Sequence, residues 1–514
     1  MQPDRQAISS NIVSLFIDAA SRHPDKIALI SGDTSITYNE LMQLISDCAT
    51  HYKEKRISPG QKILVFVPMS IELYVTVLAL LSIGAHVVFM DEWASRKRVE
   101  SALTVVPVDV IIAPWKLLLL TVLSKKARAI PQKFQPFQAS KESNQRKSEI
   151  LANEVLQDET AIITFTTGST GLPKAADRSH AFLKAQFDVL KDELDVNVGD
   201  VCLVTLPIVL MSILATGATG VIPGYNQRKP DKINIDDQWE LIESTSVNVI
   251  IGSPYYVIRL GSGNKDKSSS NQIRRILTGG SPVFPDMAKQ ISTTFAQAEC
   301  VIAYGSTEAE PISTLSMREL AANASMTNGL CVGPINEKIK LKIIKPTQGP
   351  INLKMMPWES LQVTDGKLGE ILVAGPHVLS RYLNSETAFK ENKIVDGDTV
   401  WHRTGDSGRC IDGKLYLSGR VNQLIKLDQG YLSLFTEEYR LRSIDGVEYG
   451  TVLQSNHQLI TVIQLNDGKS ISEIEDQLDN RAYQSEIKVV NKMPLDARHN
   501  GKIDYAALMK LVNN

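Results

Sequence analysis

Residues 166–174 read Thr-Thr-Gly-Ser-Thr-Gly-Leu-Pro-Lys, a turn whose residue types suit the binding of a polyphosphate. Its glycines let backbone N–H groups approach phosphate oxygens, and its hydroxyls and ammonium group add donors and positive charge. It is not a Walker A loop, because Leu172 and Pro173 separate Gly171 from Lys174. An ordinary polar turn before a helix is the alternative. The apolar run 161–165 predicts a buried strand just before it, and ligands tend to bind at such strand ends.

Two later clusters also follow predicted strands and have side chains that a nucleotide requires. In the cluster 278–282, Gly279 and Gly280 would let a flat base lie close to the backbone. In the cluster 304–308, Tyr304 offers an aromatic face for stacking, and Glu308 offers a carboxylate that could hold Mg²⁺ together with phosphates.

Two more clusters lie in the last quarter of the chain. The segment Arg403-Thr-Gly-Asp406 ends in a carboxylate that could accept hydrogen bonds from both hydroxyls of a ribose. Lys502 is a cation in the polar turn 498–503. Each cluster has an ordinary alternative, since Thr-Gly-Asp is common in turns, Gly-Gly in bends and Lys on solvated surfaces.

The elements that must position these clusters alternate between strand and helix. Strands are predicted at 62–67, 86–90, 108–113, 201–205, 247–251, 275–277 and 299–303, and helices at 70–82 and 96–106. Strands separated by helices are typical of parallel sheets covered on both faces. The pattern predicts an α/β fold with a large region of doubly wound sheets.

The pattern changes towards the C-terminus. Short alternating strands after about residue 335, such as 338–344 and 369–373, predict a small antiparallel sheet or β-barrel. A compact α+β stretch follows Arg420, with strands at 450–453, 459–465 and 486–490 and a helix at 471–478. Exposed loops are predicted at 140–147 and 261–272. We expect an N-terminal domain of residues 1–420 and a small C-terminal domain of residues 421–514.

The amino-acid composition makes some classes of binding partner, such as nucleic acid, unfavourable. The 514 residues include 55 Lys and Arg against 57 Asp and Glu, so the chain as a whole has no field of one sign that would attract nucleic acid or an anionic membrane. Five dispersed cysteines show no spacing for zinc or a disulfide framework. The apolar stretch 73–90 predicts a buried helix, a glycine turn and a strand, not a membrane span. With no secretory signal at its start, the chain is expected to be cytoplasmic.

Taken in order, the clusters resemble the adenylate-forming superfamily of acyl-CoA synthetases, luciferase-like enzymes and peptide-synthetase adenylation domains. The resemblance covers nearly the whole chain. It runs through Ser35–Leu41, Gly84-Ala85, the turn 166–174, Gly279-Gly280, Tyr304–Glu308, Gly333-Pro334, Gly369–Ile371, Thr404–Asp406, Gly419-Arg420, Ile425-Lys426 and Lys502.

This resemblance implies a role for each cluster in forming an acyl–AMP anhydride from ATP and a carboxylic acid. Tyr304 would stack on adenine opposite Gly279 and Gly280, and Asp406 and Arg420 would bind the ribose. Thr307 would contact the α-phosphate, Glu308 would hold Mg²⁺, and Lys502 would bridge the acid and the α-phosphate. The β- and γ-phosphates would be gripped by Thr166, Thr167, Gly168, Ser169, Thr170, Gly171 and Lys174.

The resemblance also implies a mobile C-terminal domain that swings about a hinge after the Gly-Arg pair. The hinge would lie at 420–422. The family usually has Asp or Lys at its pivot, and Asn422 departs from that pattern.

Three alternatives remain open for the overall reaction. Transfer of the acyl group to a thiol, of CoA or of an acyl carrier protein, is the commoner second step in the superfamily. The terminal motif 494–502 and the segments 220–230 and 279–283 look most like the fatty acid–CoA ligase branch. That branch includes olefin-pathway β-lactone synthetases, in which the substrate's own hydroxyl displaces AMP. A non-catalytic nucleotide sensor is the third alternative, although Lys174, Glu308, Asp406 and Lys502 are all present. The segment 206–211 lacks the family's usual aromatic residue and His, and its aliphatic residues favour a fatty or otherwise apolar acid.

Overall fold

The structure is a computed structural model that describes residues 10–90, 95–138, 152–166, 173–225, 230–263, 269–428, 430–456, 458–478, 483–496 and 501–513. The strands are β1 (Ile27–Ser31), β2 (Thr34–Thr37), β3 (Lys62–Val65), β4 (His86–Phe89), β5 (Val110–Ile112), β6 (Gln132–Phe134), β7 (Thr160–Thr166), β8 (Lys174–Ser179), β9 (Val201–Val204), β10 (Thr219–Ile222), β11 (Val249–Gly252), β12 (Arg275–Gly279), β13 (Glu299–Ser306), β14 (Ala309–Ser316), β15 (Leu330–Pro334), β16 (Lys340–Ile344), β17 (Gly369–Ala374), β18 (Tyr382–Leu383), β19 (Lys393–Asp396), β20 (Thr399–Ile411), β21 (Lys414–Arg420), β22 (Ile425–Leu427), β23 (Gly430–Leu432), β24 (Val447–Ser455), β25 (Gln458–Leu465) and β26 (Glu486–Val489).

The helices connect these strands or cover their faces. They are α1 (Val13–Arg22), α2 (Tyr38–Glu54), α3 (Ile71–Ile83), α4 (Arg96–Val105), α5 (Trp115–Leu120), α6 (Lys125–Arg128), α7 (His180–Leu194), α8 (Pro207–Thr216), α9 (Ile235–Ser244), α10 (Pro254–Gly263), α11 (Pro285–Thr294), α12 (Met317–Ala322), α13 (Trp358–Leu361), α14 (Glu386–Asn392), α15 (Leu434–Arg442), α16 (Glu475–Leu478) and α17 (Tyr505–Asn513).

Two large sheets of mainly parallel strands form the body of the molecule, as the alternating pattern predicts. The first has the order β14-β13-β12-β11-β9-β10-β1-β2, and the second has the order β18-β8-β7-β4-β3-β5-β6. Their central strands are parallel, whereas β2, β8 and β14 run antiparallel to them, and β18 pairs antiparallel with β8. The carboxyl ends of the parallel strands in each sheet therefore meet along one edge.

The apolar stretch 73–90 folds as predicted. Ser70 caps α3 by accepting a hydrogen bond from the Leu73 N–H, and Gly84, with φ at 85°, ends the helix in the left-handed region. Every residue from Leu73 to Ile83 is buried, because α3 lies in the apolar cluster that holds the two large sheets together. Within the described residues, none of the helices has the length and apolar character needed to cross a bilayer.

The small antiparallel unit predicted after residue 335 is a third sheet, with the order β15-β21-β20-β17-β16 and with β19 paired to β20. A second apolar cluster joins it to the first sheet, since it contains Ile302 of β13 as well as Ile371 and Leu417. The three sheets are thereby fixed with respect to one another.

The chain after Arg420 forms the hairpin β22–β23 and the three-stranded sheet β24-β25-β26, packed with α15, α16 and α17. Two local predictions are corrected. The segment 471–478 is a short 3-10 turn followed by α16, and helix α10 continues to Gly263 in the predicted loop 261–272. The predicted loop 140–147 lies outside the described residues.

Candidate active site

The predicted site residues lie on one cleft of about 1360 Å³. It forms where β7 of the second sheet and β12 and β13 of the first sheet end, beside the third sheet. The residues that line it include Thr166, Lys174, Gly279, Gly280, Tyr304, Thr307, Glu308, Asp406, Arg420 and Lys502. The remaining predicted phosphate-loop residues, Thr167, Gly168, Ser169, Thr170 and Gly171, lie outside the described residues.

Glu308 marks one end of this cleft, where the two large sheets meet. It lies in the tight connection between β13 and β14, and its side chain is buried, with only 6% of the residue's surface exposed. The Thr166 hydroxyl donates to Glu308 Oε1 at 3.2 Å, and the Tyr382 hydroxyl donates to the same oxygen at 3.1 Å. The carboxylate thus links the end of β7 to the end of β13.

Cationic side chains surround Glu308. Burial alone would raise the pKa of Glu308, but His402, Lys174 and Lys393, helped by the hydrogen bond from Tyr382, lower it to about 2. Burial itself lowers the pKa of His402 well below its usual value, so the ring is neutral at pH 7 and the two lysines supply the positive charge. Glu308 is consequently ionised at neutral pH.

The two lysines approach Glu308 from different parts of the chain. The Lys174 ammonium donates to Asn392 Oδ1 at 2.9 Å, and burial lowers its pKa. Lys393 is almost fully buried, donates to the Leu379 carbonyl, and has its pKa lowered to about 7 by burial. Both ammonium groups lie over the Tyr382 ring, at 5.6 Å and 5.2 Å from its centroid.

Sequence reasoning missed four residues of this region: Arg178, Tyr382, Lys393 and His402. Arg178 is a buried cation that lines the cleft and donates from Nη2 to the Thr307 carbonyl at 2.9 Å. His402 could have been noticed in the sequence, because it is a polar residue next to Trp401 in a strand that also has apolar residues. In the structure, the strand register pairs His402 with Lys393 on β19. No local signal marked Lys393 or Tyr382.

The other end of the cleft is built on the third sheet. Asp406 on β20 is directly opposite Arg420 on β21, and Arg420 Nη1 donates to Asp406 Oδ1 at 2.7 Å. The Tyr304 hydroxyl donates to Asp406 Oδ2 at 2.8 Å. Gly405 in β20 has φ at 70°, and a Cβ there would meet Arg420 Nη2 at 2.9 Å, so this position requires glycine. The three predicted nucleoside-binding side chains therefore form one hydrogen-bonded group.

Bare backbone lies next to Tyr304. A Cβ on Gly279 would lie only 2.5 Å from the Ala303 carbonyl oxygen, and Gly280 has φ at 87°. Larger residues would disturb the close pairing of β12 with β13 here. The result is a surface that a flat ring can approach.

Lys502 faces the cleft from the C-terminal part of the chain. Asp496 holds its turn closed, because Asp496 Oδ1 accepts from the Lys502 and Gly501 N–H groups at 2.9 Å and 3.3 Å. The Asp496 N–H also donates to the Lys502 carbonyl at 2.8 Å. A bridge between Leu495 and Ile503 fixes the base of the turn.

A further wall of the cleft is apolar. Helix α8 starts with Pro207 at its first position, which suits a helix N-terminus. Aliphatic side chains from this helix and from neighbouring strands line the cleft: Leu206, Ile208, Val209, Ile251 and Leu277. The predicted aliphatic character of segment 206–211 is present at the cleft surface.

Residues 16–383 match the family model described as AMP-binding enzyme. The chain belongs to this family. It is similar to the olefin beta-lactone synthetase of Stenotrophomonas maltophilia, with 27% identity over 83% of this chain and 82% of that protein. It is also similar to 4-coumarate--CoA ligase-like 9 of Arabidopsis thaliana, with 25% identity over 84% of this chain and 73% of that protein.

Among solved structures, the chain is similar to ATP-bound MatB from Rhodopseudomonas palustris. The TM-score is 0.81, and the match covers 98% of this chain and 99% of that one at 18% identity. The predicted membership in the adenylate-forming superfamily is confirmed, as is the mixed α/β fold. This AMP-binding enzyme is an adenylate-forming ligase, whereas the roles assigned to individual side chains stay predictions.

Proposed function

We propose that the enzyme activates an apolar carboxylic acid with ATP, forming acyl-AMP and pyrophosphate, and then transfers the acyl group to a thiol. One observation carries the proposal: Glu308 and Lys174, Asp406 and Arg420, and Lys502 all line a single cleft. In this proposal, the end with Glu308 and Lys174 would bind the phosphates and a metal ion, the end with Asp406 and Arg420 would bind the ribose, and Lys502 would lie between the reacting groups.

The Glu308 end fits a magnesium ion. Mg²⁺ prefers oxygen ligands and is commonly held by one or two carboxylates together with substrate phosphates. Glu308 is ionised, and the Thr166 hydroxyl lies 3.2 Å from it. We propose that Glu308 holds Mg²⁺ bound to ATP, where the ion would neutralise phosphate charge. Lys174 would add a second positive charge on the β- and γ-phosphates.

The adenylation step joins two anions, so its barrier depends on charge neutralisation. A carboxylate oxygen of the acid bonds to the α-phosphorus while the bond to the departing pyrophosphate breaks. Lys502 would lie between the carboxylate and the α-phosphate, with Thr307 contacting the α-phosphate. Donors and cations fixed in advance at such a site supply most of the acceleration in phosphoryl-type transfer.

The acid is proposed to be fatty or otherwise apolar, because Leu206, Ile208, Val209, Ile251 and Leu277 line the cleft. Burying its chain there would contribute about 0.8 kcal/mol per CH₂ group. For the acceptor we propose the thiol of CoA or of a carrier protein's phosphopantetheine. Since ATP and CoA are cytoplasmic metabolites, we also propose a cytoplasmic setting.

A second candidate for the final step is supported by the similarity to the Stenotrophomonas olefin beta-lactone synthetase over 83% of this chain. In that case the 3-hydroxyl oxygen of a 3-hydroxy acyl-AMP would attack its own carbonyl carbon. AMP would leave as the β-lactone ring closed. The reaction needs no second substrate, and its intramolecular geometry favours it.

We further propose that residues 1–420 and 421–514 are separate domains joined by a hinge at 420–422. Lys502 lines the cleft, which is the arrangement that adenylation requires. A rotation about this hinge would withdraw Lys502 and expose the acyl-adenylate to its acceptor.

The defining experiment measures AMP release from ATP with a panel of plain and 3-hydroxy fatty acids, with and without CoA. CoA-dependent turnover would support thioester formation and exclude the lactone alternative. AMP from only the 3-hydroxy acids, without CoA, would support the lactone alternative. Absence of ATP turnover with every acid would favour a nucleotide sensor.

Lys502→Ala tests the proposed role of the terminal lysine. We expect adenylation to fall by about 10³-fold, as for removal of a preorganised charge-stabilising group, while ATP binding is retained. Pyrophosphate release and ATP titration would measure the two effects separately. Lys510→Ala, which removes an exposed lysine of α17, is the matched control. Full adenylation by Lys502→Ala would refute the assigned role.

A further inference from the structure

Large apolar side chains are exposed together at one place on the surface, in helix α5 and the 3-10 turn that follows it. Trp115, Leu119, Leu120, Val122 and Leu123 are each between 53% and 61% exposed. We call this the 115–123 surface. In the described part of the chain, the other large apolar residues of high exposure, such as Leu156, Met355 and Val395, are far apart in sequence. Contiguous apolar patches on a soluble protein mark interaction sites more often than isolated residues do.

The 115–123 surface is held in place by the opposite face of the same segment. Leu117 and Leu118 pack against an apolar cluster of the second sheet. Thr121 is buried and its hydroxyl donates to the Leu118 carbonyl at 2.7 Å. Ser124 is buried and caps α6 by accepting from the Ala127 N–H. One face of the segment therefore packs against the core, whereas the apolar residues on its other face are exposed.

The segment that carries the 115–123 surface is locally basic. Residues 110–138 contain five basic residues (Lys116, Lys125, Lys126, Arg128 and Lys133) and no Asp or Glu. Lys116, Lys125, Lys126 and Arg128 are exposed, and Lys116 lies over the Trp115 ring at 5.6 Å from its centroid. The near-neutral total charge of the chain conceals this local concentration.

We propose that the 115–123 surface docks the enzyme peripherally on an anionic phospholipid membrane. An indole, several leucines and flanking cations are the combination that lies at the boundary between headgroups and acyl chains. Basic residues are attracted to the surface of an anionic leaflet, and the apolar side chains add burial free energy. An acidic protein partner would account for the basic residues but not for the exposed apolar residues beside them.

The 115–123 surface and the cleft lie at the same edge of the second sheet. Helix α5 follows β5, and Thr166, which lines the cleft, ends β7; both strands run in the same direction in the second sheet. Since β5 and β7 are three strand spacings apart, the start of α5 and Thr166 share one edge of the sheet at roughly 14 Å separation. A membrane held there would bring a source of apolar molecules close to the cleft, although the docking itself does not depend on the proposed reaction.

The test is co-sedimentation of the full chain with vesicles of phosphatidylcholine alone or with about one-third phosphatidylglycerol. We expect binding to the anionic vesicles, weakened by salt, and a blue shift of tryptophan emission that is lost in Trp115→Phe. The double variant Leu119→Asp/Val122→Asp should lower the bound fraction at least about 10-fold, because charged residues do not enter the acyl region. Lys125→Glu/Lys126→Glu should abolish the preference for anionic vesicles.

Met355→Asp/Val395→Asp is the matched control, since it places two charges on exposed apolar residues elsewhere. Unfolding temperature would show that every variant is folded. The proposal is overturned if the unaltered chain does not bind anionic vesicles, or if the 115–123 and control variants bind equally. It is also overturned if Leu119→Asp/Val122→Asp dissociates a dimer of this chain and leaves vesicle binding unchanged.

Discussion

Two buried glutamates line the same cleft, and their ionisation is shifted in opposite directions. Glu308 lies among lysines at the phosphate end, and its pKa is lowered to about 2. Glu438 on α15 is also buried, and burial raises its pKa to about 7, an effect that hydrogen bonds from Tyr505 and Thr451 and the charge of Arg442 only partly oppose. Burial acts in the same direction on both residues, so the neighbours account for the difference.

The comparison shows how one fold keeps one carboxylate charged and holds another partly neutral. Glu308 accepts from two hydroxyl groups, but Lys174 and Lys393 also lie near it, and their charges stabilise only the ionised form. Around Glu438 the nearest partners are two neutral hydroxyl groups, and a hydroxyl can hydrogen-bond to either form. A charged carboxylate suits a metal–phosphate site, whereas a carboxyl with a pKa near 7 responds to pH in the physiological range.

The largest effect is expected from a substitution that removes the charge of Glu308 and keeps the shape of its side chain. Glu308→Gln should lower the kcat/KM for ATP by about 10³-fold and raise the Mg²⁺ concentration needed for half-maximal rate. The physical reason is that an amide cannot replace an ionised carboxylate towards a divalent cation. Pyrophosphate release measured over a Mg²⁺ series would check both effects. Glu386→Gln, at an exposed carboxylate of α14, is the control. A loss of less than about threefold would contradict the assignment.

Lys393→Met tests whether neighbouring cations lower the pKa of Glu308, because it removes one of them. Without that charge the pKa of Glu308 must rise, so the acid limb of the pH–rate profile should move to higher pH. Because the pKa of Lys393 itself is about 7, the difference from the unaltered enzyme should be greatest below pH 7 and should fade above it. We expect that limb to move by about one pKa unit, which corresponds to 1.36 kcal/mol, so the loss should grow as the pH falls towards the raised pKa of Glu308.

A matched control for this prediction is Lys390→Met, three residues earlier, where the lysine is exposed and pairs with Glu386. That variant should keep the original profile. If Lys393→Met lowered the rate by the same factor on the acid limb and at pH 8.5, the lysine would act through packing and not through its charge on Glu308.

Most of the fold could be predicted because its signals are local. The run 161–165 is apolar apart from Thr164, as a strand covered on both faces tends to be, and it lies within β7. Most of the predicted site residues on the described chain could be selected from the sequence because each belongs to a short cluster at a strand end, and they line one cleft. Their meeting in one cleft follows from the shared orientation of parallel strands and from the third sheet packed beside them.

The residues of the site that the sequence analysis missed could not be predicted, because nothing in their local sequence places them beside Glu308. Lys393, His402 and Tyr382 reach Glu308 only through the pairing of β19 with β20 and of β18 with β8, which joins segments about 200 residues apart in the second case. A lysine in a polar sequence has the pattern of a solvated residue, and nothing local shows that the fold buries it. Glu438 escaped notice in the same way, since α15 reads as an ordinary surface helix.

The smallest predicted effect concerns Glu438, where the opposite shift should appear in stability. An acid whose pKa is raised in the folded state binds its proton more tightly when folded, so its contribution to stability falls as pH rises from about 4.5 through 7. Glu438→Gln keeps an acceptor for Tyr505 but cannot ionise. We expect the variant to match the unaltered enzyme at pH 4.5 and to be more stable at pH 8.5, by a few kcal/mol at most. Thermal unfolding at the two pH values would measure this, with exposed Glu475→Gln as the control. An equal change at both pH values would mean that Glu438 affects packing only, and that its burial does not resist ionisation.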